Sequence, residues 1–183
     1  MSPGVTHPWD PADHPDRRLT FEAIYEAFES RVYRFCMSQV RDPAVAEDIT
    51  ADTFVSAFRA QDRRAPDHEL EQWIFHIARN KIVDHWRRDR RRRVLTTVFG
   101  QHADSGVRSI EGEAEVRSEL RAAWAAMAQL NARDRQIVGL RVAGGLGFSE
   151  IGAIVNLNDD SARAAYVRAL ARVRQILAAE DGA

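Results

Sequence analysis

Apolar residues recur at every third or fourth position along most of the chain, which is the spacing of one face of an α-helix. The first such stripe contains Phe21, Ile24, Phe28 and Val32, and Thr20 precedes it as a candidate N-cap. We find no convincing alternation of period two, which would indicate β-strands. The pattern therefore predicts an all-α protein.

Two further helices are predicted in the first half of the chain. Asp42 and Pro43 supply an N-cap and a first turn for the second helix. Its inward-facing side chains are expected to be Val45, Ile49, Thr53, Ala57 and Phe58. After a polar loop at 63–67, the third helix is predicted from about Glu69 to Arg88. Its core stripe is expected to be Ile74, Ile77, Ala78 and Ile82.

Periodicity fades after the third helix and returns later, which divides the chain. The fading stretch is glycine-rich, polar and mildly acidic, as in flexible linkers. The predicted divisions are a disordered N-terminal extension at 1–19, a helical domain at 20–93, a linker at 94–113, a second helical domain at 114–178 and a tail at 179–183. We therefore expect two helical domains joined by a flexible linker.

In the second domain, Asn131 is a candidate N-cap for a short helix. A helix-turn-helix pattern follows at 151–158, and after it an amphipathic helix begins at Asp159. Asn156 tolerates the left-handed turn conformation, and Leu157 is placed to fill the angle between the helices. The apolar arc of the last helix is expected to contain Ala162, Tyr166, Ala169, Leu170, Val173, Ile176 and Leu177. Its candidate DNA contacts are Ser161, Arg163, Tyr166, Arg168 and Arg172. The alternative is a helical bundle with a solvated arginine face.

Charge is concentrated in one segment of the first domain. Eight cationic residues and two aspartates lie between 79 and 93, although the whole chain has a net charge of −1. Aromatic and basic side chains also alternate on the third helix, a combination that suits unpaired bases and their backbone. The alternative is that Trp73 and Trp86 belong partly to the core and the arginines are merely solvated.

Other classes of function find little support in the sequence. The single cysteine, Cys36, excludes an internal disulfide and is expected to be buried. A zincin-like pattern that begins at His68 has Gln72 where the second histidine ligand belongs. No apolar run is long enough to span a membrane, and the polar N-terminus lacks the core of a signal peptide. We expect a cytoplasmic protein that is not an enzyme, with no metal, no cofactor and no membrane insertion.

Three segments resemble parts of the bacterial sigma-70 family. Residues 46–54 (Ala-Glu-Asp-Ile-Thr-Ala-Asp-Thr-Phe) are similar to the polymerase-binding segment of sigma domain 2. Residues 73–80 (Trp-Ile-Phe-His-Ile-Ala-Arg-Asn), with Asp84 and Arg87 behind them, are similar to the segment that opens and reads the −10 element. Residues 130–177 resemble sigma domain 4, which reads the −35 element. Their order and the short linker resemble the extracytoplasmic-function (ECF) group.

This resemblance implies a transcription initiation factor that joins core RNA polymerase to promoter DNA. It implies contacts to the β′ coiled coil and the β flap, to duplex and melted promoter DNA, and to an anti-sigma factor. The implied polymerase-binding residues are Glu47, Asp48, Asp52 and Phe54. The implied −10 residues are Trp73, His76, Arg79, Asn80, Lys81, Asp84, Arg87 and Arg88. The alternative function is a helix-turn-helix regulator that does not join core polymerase.

The recognition helix departs from the family pattern. Ala164 and Ala165 stand where the family usually has a serine and an arginine, and Asp159 and Asp160 begin the helix. Aspartates suit the positive end of the helix dipole but repel phosphate. We therefore expect weak binding of the −35 element by this domain alone.

Overall fold

The computed structural model describes residues 20–60, 69–99 and 122–181. Its helices are α1 (Phe21–Val40), α2 (Pro43–Arg59), α3 (Leu70–Phe99), α4 (Ala132–Val142), α5 (Phe148–Val155) and α6 (Asp159–Asp181). Residues 122–128 are also helical. All regular structure in these ranges is helical, so the predicted all-α fold is confirmed. The N-terminal extension, the 63–67 loop, most of the linker, the start of the second domain and residues 182–183 lie outside the described residues.

Side-chain caps fix where several helices begin, as the sequence predicts. The Thr20 hydroxyl accepts a hydrogen bond from the Ala23 N–H, and the Asp42 carboxylate accepts one from the Val45 N–H at 3.1 Å. Asn131 caps α4 in the same way. Each cap satisfies an amide that has no partner inside its helix. The predicted starts of α1, α2 and α4 are therefore confirmed.

Helix α3 extends farther than the sequence predicts. It continues through the arginine run to Phe99 instead of ending near Arg88, and so it enters the predicted linker at 94–113. Arginine is a good helix former, and its long side chain remains solvated on a helix surface. Loss of apolar periodicity marks the end of the buried face here, whereas the helix itself continues.

Helices α1, α2 and α3 form an N-terminal bundle, and α4, α5 and α6 form a C-terminal bundle with residues 122–128. The two bundles pack against each other, because α1 contacts α4 and α3 contacts α5. One continuous cluster of buried apolar side chains runs through both, from Phe28 and Ile82 to Leu140 and Ile151. The predicted bundles are therefore present and packed together in this structure.

Two aromatic residues lie where the sequence pattern did not predict them. Phe58, predicted to face inward on α2, is 50% exposed. Phe75, which belonged to the aromatic and basic stretch of α3, is completely buried and packs edge-on against Phe35 with ring centroids 5.8 Å apart. The prediction for Phe58 was wrong because an interval of three or four residues leaves the edges of a helix face undefined.

Candidate nucleic-acid and protein interfaces

The polar side of α2 presents an exposed acidic surface. Glu47, Asp48 and Asp52 are exposed, while Ile49 between them is buried against the rest of the N-terminal bundle. Asp48 and Asp52 also line a cleft whose opposite wall is formed by α3. Because two carboxylates four residues apart repel each other on a helix, this arrangement favours a cationic partner.

Phe54 does not form part of that acidic surface. It is only 3% exposed, and it packs against Phe21 and Tyr25 with ring centroids 6.5 and 4.8 Å apart. The residues that are exposed beside it are Tyr25, Val55 and Phe58. The sequence reading missed this apolar patch, although the closely spaced aromatic residues of α2 gave a signal. Phe54 is therefore placed to support the patch from below.

The outward side of α3 carries most of the residues that the sequence assigned to the −10 element. His76, Asn80, Asp84, Arg87 and Arg88 are exposed. Burial lowers the pKa of His76, and the neighbouring Arg79 lowers it further. The lowered pKa favours the neutral form of the His76 imidazole. The positive charge on this side of α3 therefore comes from its arginine side chains.

The remaining assigned residues of α3 lie at the border of this surface. Trp73, Arg79 and Lys81 are partly buried, as is Trp86. Trp73 and Trp86 both pack against the continuous core, so the alternative of partly structural tryptophans is supported. Arg79, and Trp86, which is outside the assigned set, additionally contact the C-terminal bundle. The structure thus brings the −10 residues together on one helix, and one of them, Arg79, is contacted by α4.

Helices α5 and α6 form the predicted helix-turn-helix. Asn156 adopts the left-handed conformation with φ 58°, and the Leu157 N–H donates to the Gly152 carbonyl at 2.8 Å. The Asn158 side chain accepts a hydrogen bond from the Ser161 N–H and so caps α6. Local hydrogen bonds therefore fix the angle at which α6 leaves the turn.

The exposed side of α6 carries Arg163, Arg168 and Arg172. The exposed Arg163 side chain lies against two groups of the protein, because its guanidinium is 4.6 Å from the Phe148 ring centroid and 3.8 Å from the Asp159 carboxylate. Ser161 is half-buried at the start of the helix. The positive charge of Arg163, the first arginine of α6 after the turn, is therefore partly neutralised by Asp159 in the free protein.

Two further residues of α6, Tyr166 and Ala165, face the protein interior rather than solvent. The ring of Tyr166 packs against Phe148 with centroids 5.5 Å apart, so its assignment as a DNA contact remains a prediction. Ala165 is 5% exposed, whereas Ala164 is exposed. Only one of the two alanines that replace the family's serine and arginine is thus available to DNA.

Cys36 is buried in the N-terminal bundle, as the sequence predicts. Burial raises the pKa of its thiol to about 12, although a hydrogen bond with Thr50 opposes the shift. A thiol with this pKa is protonated at neutral pH and reacts slowly.

Within the described ranges, no three His, Cys, Asp or Glu side chains lie close enough together to hold a metal ion. None of the described helices is both long and apolar enough to cross a membrane.

Comparison with protein families gives two matches that together cover most of the chain. The model for sigma-70 region 2 matches residues 24–92, and the model for sigma-70 region 4 matches residues 120–173. The first match contains the acidic side of α2 and the cationic side of α3, and the second contains the helix-turn-helix.

Individual relatives agree with these matches. The ECF sigma factor SigM of Bacillus subtilis is 25% identical over 86% of this chain and 95% of its own length. The ECF sigma factor BldN of Streptomyces coelicolor is 28% identical over 86% of this chain and 60% of its own length. Both named relatives are thus ECF factors that match across the two bundles.

Solved structures share the fold. The sigma factor RpoE of Bartonella quintana, in complex with the anti-sigma factor NepR, matches with a TM-score of 0.70 and 24% identity, over 86% of this chain and 96% of that one. CnrH, in complex with the cytosolic domain of CnrY, matches with a TM-score of 0.65 and 21% identity over 87% and 88%. The family matches, the relatives and the fold lead to one conclusion: the chain belongs to the sigma-70 family, as an RNA polymerase sigma factor of the ECF group.

Proposed function

We propose that three surfaces of this chain divide the work of transcription initiation. The acidic side of α2 (Glu47, Asp48 and Asp52) binds core RNA polymerase. The outward side of α3 engages the melted −10 strand, and the exposed side of α6 contacts the −35 duplex. The observation that carries the proposal is the exposure of acidic and cationic residues on separate helices of one bundle. A single chain can then hold a cationic protein surface and an anionic strand at the same time.

The arrangement on α3 supports a role in strand separation. Its exposed cations can follow the phosphate backbone, and the partly exposed Trp73 ring offers a face on which an unpaired base can stack. Asn80 lies exposed between Arg79 and Lys81, and its amide both donates and accepts hydrogen bonds. It is therefore the first candidate for a contact to an extruded base, and such contacts must offset the cost of unstacking that base.

An inhibitory partner belongs to the same proposal. The solved RpoE and CnrH structures were determined with an anti-sigma factor and with the cytosolic domain of CnrY, respectively. We propose that this chain is likewise held inactive by a dedicated anti-sigma protein. Co-purification of the tagged chain from its native cells, followed by mass spectrometry, tests for such a protein.

The direct test of the function is transcription in vitro with purified core polymerase, this chain and a library of promoter sequences. The expected result is initiation at a defined subset of promoters that depends on the chain. Specific duplex binding without core binding would instead favour a helix-turn-helix regulator.

Changing Asp48 to arginine is expected to weaken binding to core polymerase by roughly tenfold or more, because close charge pairs at interfaces couple strongly. Asp48 is exposed, so the helical circular dichroism signal should not change. Affinity is measured with labelled chain titrated with core polymerase. Glu26→Arg, an exposed acid on α1, is the matched control and should bind normally. Equal affinities of Asp48→Arg and the native chain would refute the assignment of α2.

Asn80→Ala is expected to reduce open-complex formation more than closed-complex binding. Loss of a base contact costs roughly 1–3 kcal/mol, and that loss applies only after the strands separate. The measurement compares transcription from a duplex promoter with transcription from a premelted one. Arg90→Ala, an exposed residue farther along α3, controls for general weakening of charge. An equal loss on both templates would argue against a role in melting.

A further inference from the structure

The exposed side of α6 carries a strip of apolar side chains. Ala164, Val167 and Ala171 lie three and four residues apart, so they share one side of the helix. Val167 is 60% exposed, which is unusual for a large hydrophobic side chain in the described ranges. The opposite side of α6 contains the buried Ala162 and Ala169, which pack on the rest of the C-terminal bundle. The apolar strip therefore faces away from the protein.

Arginine side chains border the apolar strip on both edges. At 100° per residue, Arg163 lies along one edge, and Arg168 and Arg172 lie along the other. Arg168 and Arg172 are exposed and four residues apart, so their like charges repel each other and favour an anionic partner. An apolar centre between cationic edges is complementary to the major groove, where phosphates line the rims and base edges form the floor. Duplex DNA is therefore the partner that the strip fits.

The centre of the strip lacks the side chains that usually read polar base edges. Guanine is commonly bound by arginine or lysine, and adenine by asparagine or glutamine. Residues 159–174 contain no lysine, asparagine or glutamine, and none of their arginines falls within the strip. Asp160 begins the same side of the helix, but a carboxylate cannot bind the acceptor atoms of guanine. What remains is contact with the thymine methyl group, which small apolar side chains make.

The length of the strip sets how many bases it reaches. Ala171 lies seven positions after Ala164, which corresponds to about 10 Å along a helix axis. Base pairs are stacked about 3.4 Å apart, so the strip extends over about three of them. Alanine lets the backbone of α6 approach the bases closely, and the larger Val167 projects between the two alanines. Val167 is therefore placed to make the largest apolar contact.

We propose that α6 reads thymine in the −35 element through the methyl contacts of Ala164, Val167 and Ala171, with Val167 as the main determinant of specificity. Arg168 and Arg172 bind the phosphates at the edge of the groove without regard to sequence. This inference rests on the proposed function of α6, and it names the base that the exposed side of this helix recognises. A recognition helix without polar readers at its centre can then still select a −35 element.

The test uses holoenzyme assembled from the full chain and core polymerase. Transcription from templates with a fixed −10 element and a randomised −35 element first selects the preferred −35 sequence. Each thymine of that −35 sequence is then replaced by deoxyuridine, which lacks only the 5-methyl group. Competition assays compare the affinity of the holoenzyme for the thymine and deoxyuridine duplexes. The variants are Val167→Ser and Arg168→Ala, and the matched control is Val142→Ser, a valine of α4 that is 68% exposed.

We expect enrichment of thymine at neighbouring positions of the −35 element. Deoxyuridine at one of these positions should lower the affinity about fourfold, the factor that corresponds to the loss of one buried methyl group. Val167→Ser should abolish the preference for thymine at its position, and Val142→Ser should retain it. Arg168→Ala should weaken binding of both duplexes by the same factor, since a phosphate contact carries no base information. The substituted positions are exposed, so the helical circular dichroism signal should not change.

Equal affinity for the thymine and deoxyuridine duplexes, or enrichment of another base in place of thymine, would overturn the inference. Native base preference in Val167→Ser would do the same, and if that variant also lost affinity for core polymerase, the strip would be a protein contact instead. A chain that failed to direct core polymerase would refute the proposed function. In that case the same two duplexes, offered to the full chain alone, would still decide whether α6 reads thymine methyl groups.

Discussion

Phe75→Ala is expected to destabilise the protein by about 3–5 kcal/mol, the usual cost of removing a fully buried aromatic side chain. Phe75 is completely buried, and its ring contacts Phe35 of α1. It also lies 5.5 Å from the Arg31 guanidinium, so the cavity would open beside the contact between the bundles. Because small proteins are stable by only about 5–15 kcal/mol, this substitution should remove a large share of the free energy of unfolding. Urea unfolding followed by circular dichroism measures the loss.

Trp73→Ala is the informative comparison, since Trp73 is only two residues away and partly exposed. It should cost clearly less stability and impair promoter opening in the folded protein. Equal losses of stability for Phe75→Ala and Trp73→Ala would contradict the proposal that α3 has a buried side and a separate side for the melted strand.

Gly152→Val is expected to abolish recognition of the −35 element while the N-terminal bundle still binds core polymerase. A Cβ at this position would lie 2.5 Å from the Leu157 carbonyl oxygen and 3.3 Å from the Asn158 carbonyl carbon. Both are backbone atoms of the turn, so they cannot move aside without changing the direction of α6. Forcing extra atoms into such a site costs about 1–3 kcal/mol or more.

The measurement is transcription from promoter pairs that differ only in the −35 element, together with thermal unfolding. Ala153→Val is the matched control, because Ala153 is the next residue on the same helix and is exposed. Gly152→Val protein that still distinguished the two promoters would show that the turn tolerates a side chain.

Local features of the fold could be predicted because local chemistry determines them. The caps at Thr20, Asp42 and Asn131 need only a suitable side chain next to an apolar stripe, and each is present. The left-handed turn at Asn156 follows from the same kind of reasoning. The acids of α2 are exposed because charged side chains rarely bury without partners.

Contacts between distant segments could not be predicted in this way. Arg31 and Gly144 are separated by 113 positions, and Gln39 and Arg135 by 96. Periodicity shows that a helix has an apolar side but does not identify the helix that covers it. For the same reason the sequence could not distinguish the buried Phe75 from the partly buried Trp73, or the buried Ala165 from the exposed Ala164. Predicting which side chains are covered requires knowledge of the packing of both bundles.

Helix α3 also limits how such a protein can diverge. Phe75 and Ile82 face its core, Arg79 and Trp86 face α4, and Asn80 faces outward, all on one rigid helix. On the proposed function of α3, a substitution of Arg79 that suits a different promoter base also changes its hydrogen bond to Gln136. Promoter preference and the packing between the bundles are then pleiotropic traits of the same positions. A lineage that acquires a new promoter is expected to adjust α4 as well, so the two bundles should coevolve rather than drift independently.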